Sequence, residues 1–293
     1  MSVLWDSPLT AAVASELHAR LAGARLRGHR FAWDRRELTL YFRSWTLRWR
    51  LHPREGWVTV GPPRDPPEDS RPLAAELKRV EAPPDERLIR FSFQKVRGQV
   101  RSVQIVVELM TNQWNALLLE GEEGWIRHLL WTRQTEGRSL VVGRAYHPPP
   151  FSERAGAKAP LSELQWKTLV APPKKDVNYE TILDRVAFTS PLNLPSLLGQ
   201  GEEAEAAGEP PPPDFELWKR LGQSAPTEPC ILETKRGRQP YPFVLKGFRY
   251  HIFSSLLEAF EVVVEEESRK GDAASNVMER LEQALRQATG KAR

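Results

Sequence analysis

The residues with the clearest chemical potential lie in two places. Between Arg27 and Arg50 the chain interleaves Arg27, Arg30, Arg35, Arg36, Arg43, Arg48 and Arg50 with Phe31, Trp33, Tyr41, Trp45 and Trp49. Arginine and aromatic side chains on one sheet face suit contact with phosphates and stacking on bases. The plainer reading makes the aromatics core and the arginines their solvated alternates, because period-two alternation gives this pattern in any half-buried sheet. The second place is Asp85-Glu86-Arg87, two acids and a base just before a strand begins. Loop-to-strand junctions often present functional groups on a rigid base. Metal and nucleophile chemistry find little support. A single cysteine, Cys230, leaves no internal disulfide and no multi-thiolate zinc site within one chain, and no two of the six histidines are spaced i,i+3 or i,i+4. Ser44 and Ser139 have no triad-like context. No cofactor, no metal and no enzymatic activity are expected.

Bulk properties are compatible with an anionic partner without demanding one. At 293 residues and 40% hydrophobic content the chain can bury one large core or two ordinary ones. Its charge of +4 is the small difference between 42 basic and 38 acidic residues. No run of about 18 apolar residues appears, and the first residues, MSVLWDSPLT, lack the basic and apolar segments of a signal peptide. The expectation is a soluble cytoplasmic protein with no membrane partner.

These residues need elements to hold them. Leu9, Val13, Leu17 and Leu21 recur at helical spacing, with Asp6 or Ser7 as cap, Pro8 in the first turn and Gly23 as a stop, which predicts a helix over 9–23. Alternation from Arg25 to Pro62 predicts an antiparallel meander of roughly four strands, followed by a proline-rich loop at Pro62–Pro67. PLAAELKRV, Pro72–Val80, reads as a short helix. Ile89, Phe91 and Phe93 open a strand that leads into Gln99–Pro150, a second meander closed by GRAYHPPP, since proline cannot donate to a ladder. Beyond Pro150 short helices are predicted at Leu161–Leu169, Tyr179–Phe188, Pro191–Gly199 and Phe215–Leu221. Strands are predicted at Cys230–Thr234 and Tyr241–Leu245, an amphipathic helix at Phe253–Arg269, and further helix at Asp272–Arg293. The units are thus 1–150, a helical region 151–199, an acidic proline-rich linker 200–213, and 214–293.

Several of these segments, in this order, resemble one family. VELMTNQWNALLLE is similar to a run in which Glu-Leu precedes a turn and an apolar strand, and GRAYHPPP to a Gly-x-x-Tyr-x-x-Pro-Pro ending. Asp6 before Glu16-Leu17, the segment LAGARLRGHRFAWDRRELTLYFR, Glu86-Arg87 in place of Asp-Arg, and YPFVL before FSSLLEAFEVVVEE follow suit. The family is the NFACT-N domain, found at the front of RqcH, fibronectin-binding protein A and the nuclear export mediator factor.

The resemblance implies an α+β fold: a formamidopyrimidine-DNA-glycosylase-like N-terminal β-sandwich with flanking helices, then a reduced helix-hairpin-helix-like region and C-terminal helices. It also implies contact with tRNA through Asp6, Glu86 and Arg87. Arg27, Arg30, Arg43, Arg48 and Arg50 form the further candidate RNA-contacting face. Partners implied are tRNA and the large ribosomal subunit carrying a stalled peptidyl-tRNA, as in ribosome quality control. With no room for the NFACT-R domain, tail synthesis by this chain alone is not expected, and a partner chain would supply that domain and the coiled coil. Glycosylase chemistry is not expected, because Met1-Ser2-Val3 offers no N-terminal proline and adjacent acid. The alternatives are an extracellular-matrix adhesin of the fibronectin-binding type and a non-catalytic DNA-binding protein.

Overall fold

The computed structural model describes residues 3–95, 102–110, 114–135, 137–170, 179–199 and 212–269. Helix α1 (Ser7–Leu21) starts where the sequence places it: the Asp6 carboxylate accepts the Leu9 N–H at 3.0 Å and Pro8 sits in the first turn. Leu9, Val13, Leu17 and Leu21 are fully buried. Gly23, at φ +79°, turns the chain out of the helix.

The strands β1 (Arg25–Ala32), β2 (Glu37–Phe42), β3 (Thr46–Arg50) and β4 (Trp57–Gly61) form the first expected meander. A second consists of β5 (Arg71–Glu81), β6 (Leu88–Lys95), β7 (Ser102–Glu108), β8 (Asn115–Glu120) and β9 (Trp125–Leu129). β5 pairs with β1, which joins the two into a nine-stranded antiparallel sheet of order β4-β3-β2-β1-β5-β6-β7-β8-β9. The expected β-sandwich is therefore one continuous sheet bent over a shared core. His29 on β1 and His128 on β9 stand five strand spacings apart, roughly 24 Å across a flat sheet. Their ring nitrogens nevertheless approach to 3.2 Å.

One element differs in kind from its sequence reading. Residues 72–80 form most of β5, not a helix, although alanine, leucine, glutamate and lysine all favour helix. Leu73, Ala75 and Leu77 alternate inward, and an irregularity between Leu77 and Arg79 brings Val80 back into phase. Pairing with β1 and β6 on both sides outweighs a weak local preference.

After the hairpin β10 (Arg133–Thr135) and β11 (Arg138–Leu140), the helices are α2 (Glu163–Val170), α3 (Tyr179–Arg185), α4 (Leu194–Leu197) and α5 (Phe215–Leu221), as expected within a few residues. A small sheet of β12 (Cys230–Thr234), β13 (Gly237–Tyr241) and β14 (Arg249–Ile252) follows, ordered β13-β12-β14. The strand expected at Tyr241–Leu245 lies earlier, at Gly237–Tyr241, and carries Pro240 within it opposite Ile231, which an edge strand tolerates. A last helix, α6, covers 256–269. Most of the linker at 200–213 and the whole expected helix at Asp272–Arg293 lie outside the described residues.

The apolar core crosses Pro150. Trp5 stacks on Phe260 of α6 with ring centroids 5.3 Å apart and also meets Trp49 and Trp114. Glu16 of α1 accepts the Leu256 and Leu257 N–H groups at 2.6 and 2.9 Å, satisfying donors at the start of α6.

Candidate nucleic-acid interface

The loop from Ala82 to Arg87, between β5 and β6, sorts its three charges by direction. Asp85 points inward with its side chain entirely shielded. Its residue adopts φ +59°, a left-handed conformation that aspartate tolerates better than most side chains. The carboxylate accepts from Ser7 Oγ at 2.9 Å, Phe188 N at 2.8 Å, Arg154 Nε at 2.7 Å, and closely from Arg154 Nη2 and Ser152 Oγ. Arg154 thus grips both oxygens in a fork, the strongest arrangement open to this pair. Its remaining nitrogen, Nη1, donates to the carbonyls of Leu183 at 2.8 Å and Thr189 at 3.2 Å.

Glu86 is buried too, 8% exposed, and accepts the Ser152 N–H. Burial pushes its pKa up, and the neighbouring Asp85 adds to that, while the bond from Ser152 and the cations Arg154 and Arg87 oppose it. Arg87 alone faces outward. Its guanidinium makes no hydrogen bond or ion pair among the described residues. Its desolvated surroundings lower its pKa and Asp6 raises it, but an arginine remains a cation throughout the physiological range.

Asp6 lies close enough to feel the charge of Arg87, yet it is only 6% exposed. One oxygen caps α1; the other accepts Ser190 Oγ at 2.7 Å and Tyr241 OH at 2.9 Å. Asn193 completes the knot by donating to Tyr241 OH at 3.1 Å. Desolvation pushes the Asp6 pKa up against these bonds and the tyrosine pKa well above its usual value. Of the three residues Asp6, Glu86 and Arg87, the structure brings all into one region and exposes one.

The arginine-rich strands follow the plainer reading except at Trp33, which is 68% exposed, and at the partly buried Phe31 and Trp45. Leu38, Leu40, Phe42, Leu47 and Trp49 fill the core, and the arginines alternate on the other face. Arg27 pairs with Asp65 at 2.9 Å, Arg30 with Asp69 at 2.6 Å, Arg48 with Glu37 at 2.9 Å and Arg50 with Glu55 at 3.3 Å. Arg43 is exposed at the end of β2. A nucleic acid approaching this face would have to displace carboxylates from four of the five arginines.

Two further clusters join residues that lie far apart in the sequence. His29 and His128, 99 residues apart, form a pair in the bend of the sheet, with Phe31 stacked on His128 at 4.4 Å. His29 Nδ1 has no partner among the described residues; placing the proton on Nε2, donated to His128 Nδ1, leaves an unpaired acceptor there instead of an unpaired donor. Burial and the nearby Arg71 hold both imidazoles down at about 4. The second cluster explains the GRAYHPPP ending. Tyr146 donates to Glu108 at 2.7 Å, and Arg138 forks onto the same carboxylate while donating to His147 O at 2.8 Å. The tyrosine of this segment is a fastener between β7 and the chain end of the sheet. Cys230 is free and buried, with its thiol pushed up to about 12. No group of three metal-ligating side chains occurs among the described residues.

Known structures share this fold at low sequence identity. The N-terminal part of the fibronectin/fibrinogen-binding protein of Streptococcus suis is 15% identical with a TM-score of 0.65, covering 89% of this chain and 99% of that one. The fibrinogen binding protein of Staphylococcus aureus is also 15% identical, at a TM-score of 0.65 over 87% of this chain and 96% of that one. The N-terminal domain of fibronectin-binding protein PavA from Streptococcus pneumoniae is 17% identical, at 0.54 over 89% and 98%. No curated protein sequence matches the chain. The family model of the NFACT N-terminal and middle domains matches residues 6–293, and the chain belongs to that family.

Proposed function

We propose that this protein is a non-enzymatic RNA-binding protein that engages tRNA, and with it the large ribosomal subunit, in cytoplasmic ribosome quality control. Arg87 is the anchoring contact. The observation that carries this reading is the direction of the charges in one loop: Asp85 and Glu86 are turned inward and bonded, and Arg87 is outward and unpaired among the described residues. An exposed guanidinium on a rigid base can hold a phosphate through two parallel bonds or lie on a base. Asp6 and Glu86 support it by fixing the loop and the start of α1 instead of touching RNA themselves. The bent sheet and the short helices after it are read as kin to the glycosylase N-terminal domain and a helix-hairpin-helix region, which follows from the family resemblance. Co-sedimentation with large ribosomal subunits, with and without peptidyl-tRNA, tests the reading. Enrichment with peptidyl-tRNA is expected, and absence from both pellets sinks the ribosomal role.

A second reading comes from the structural relatives, which are described as fibronectin- or fibrinogen-binding proteins. Binding to immobilised fibronectin or fibrinogen without any tRNA binding would favour an adhesin. Competition between tRNA and duplex DNA across salt concentrations separates the DNA-binding alternative.

A further inference from the structure

The geometry points to Arg154 as a positioning residue for the Arg87 contact, acting through Asp85; the inference rests on the RNA-binding reading above. Asp85 is two residues from Arg87, and a free carboxylate there would compete with RNA phosphate for the guanidinium and repel the phosphate itself. Arg154 removes that competitor. It takes both Asp85 oxygens in a fork and is itself anchored to the Leu183 and Thr189 carbonyls on the far side. Two residues earlier, Ser152 closes on both acids at once, its hydroxyl on Asp85 and its backbone N–H on Glu86. One short segment just past the triple proline therefore holds both negative charges of the loop and leaves its positive charge unpaired among the described residues.

The backbone shows that this clamp works against local preference. Asp85 at φ +59° and Phe188 at φ +65° both sit in the left-handed region, and the Phe188 N–H donates to Asp85 at 2.8 Å. Bulky residues stay in that region only where the surroundings over-determine it, and such positions concentrate at functional sites. Lysine at 154 would keep the charge but could not supply the planar fork or reach the two carbonyls together with both Asp85 oxygens. A purely structural pair would need neither this selective inward routing nor the proximity that makes Arg154 act on the charge of Arg87.

A double-mutant cycle separates the two roles. Binding of total tRNA to the full chain is measured at several salt concentrations for the wild type, Arg87→Ala, Arg154→Lys and the double variant, alongside thermal melts. Arg87→Ala is expected to weaken binding roughly ten-fold and to reduce the salt slope by about one contact. Arg154→Lys is expected to weaken binding roughly three- to ten-fold with the same reduced slope, and to have no further effect once Arg87 is alanine. Unchanged affinity in Arg154→Lys, or an equal loss in both backgrounds, overturns the positioning role. If Arg154→Lys does not stay folded at the assay temperature, Ser152→Ala runs the same cycle, since it deletes the hydroxyl on Asp85 and keeps the N–H on Glu86. If Arg87→Ala itself changes nothing, the RNA-binding reading fails and this inference with it. A weakened Arg87→Ala with additive Arg154→Lys rejects the inference alone.

Discussion

Asp85, Glu86 and Arg87 are adjacent in sequence and opposite in role. The sequence points to the cluster but cannot say which member faces out, because the deciding partners Ser152, Arg154 and Phe188 lie 67 to 103 residues away from Asp85. Nor does it betray the left-handed backbone at Asp85 that turns that carboxylate inward. The difference predicts opposite phenotypes. Asp85→Asn leaves the half-buried Arg154 guanidinium without its carboxylate and should cost about 2–3 kcal/mol of stability in urea unfolding. Arg87→Ala, at an exposed site without partners among the described residues, should stay within about 0.5 kcal/mol of the wild type in the same measurement. Equal losses from the two would contradict the charge sorting. Asp6 shows the same limit: its capping role is readable from Asp6-Ser7-Pro8, whereas its bonds to Ser190 and Tyr241 arise only on folding.

At the scale of elements, the sequence is informative wherever an apolar period is long. The helix at 7–21, the first meander and the strands β7 to β9 lie within a few residues of their expected positions. It misleads at β5, where good helix formers are held in a strand by neighbours on both sides. It is silent where the bend of the sheet brings distant strands together. Gly56 illustrates this: a Cβ there would lie 2.1 Å from the Trp114 ring. Gly56→Ala is expected to cost about 1–3 kcal/mol or more by overpacking, read as a lower thermal midpoint with the fold retained by circular dichroism. The histidine pair makes a pH prediction. Burial holds both imidazoles down at about 4 in the folded chain, below the usual 6.5, so the unfolded chain binds protons first as pH falls. Stability is full above about pH 6.5 and is lost on the way down to about 4, on the order of 2–3 kcal/mol for the buried His29. Urea midpoints at pH 7 and pH 5 check this, and His29→Leu should shrink the difference. An unchanged difference would place the titrating groups elsewhere.

At the scale of the molecule, the triple proline ends a sheet but not a core. Trp5 rests on Phe260, Glu16 caps α6, and Ser152 and Arg154 reach back to Asp85 and Glu86. The sequence shows the change of texture at Pro150 and hides this integration, since each contact joins residues far apart in the chain. The candidate site is therefore built by both halves: the N-terminal sheet supplies the loop, and the helical region orders its charges. The fold is shared with proteins described as fibronectin- or fibrinogen-binding, so the RNA reading rests on the loop itself. Its most direct test is the affinity of the full chain for tRNA against salt concentration, with and without Arg87→Ala. The variant is expected to bind roughly ten-fold more weakly, with a salt slope smaller by about one contact and unaltered stability. An Arg87→Ala protein with wild-type affinity and wild-type slope would contradict it.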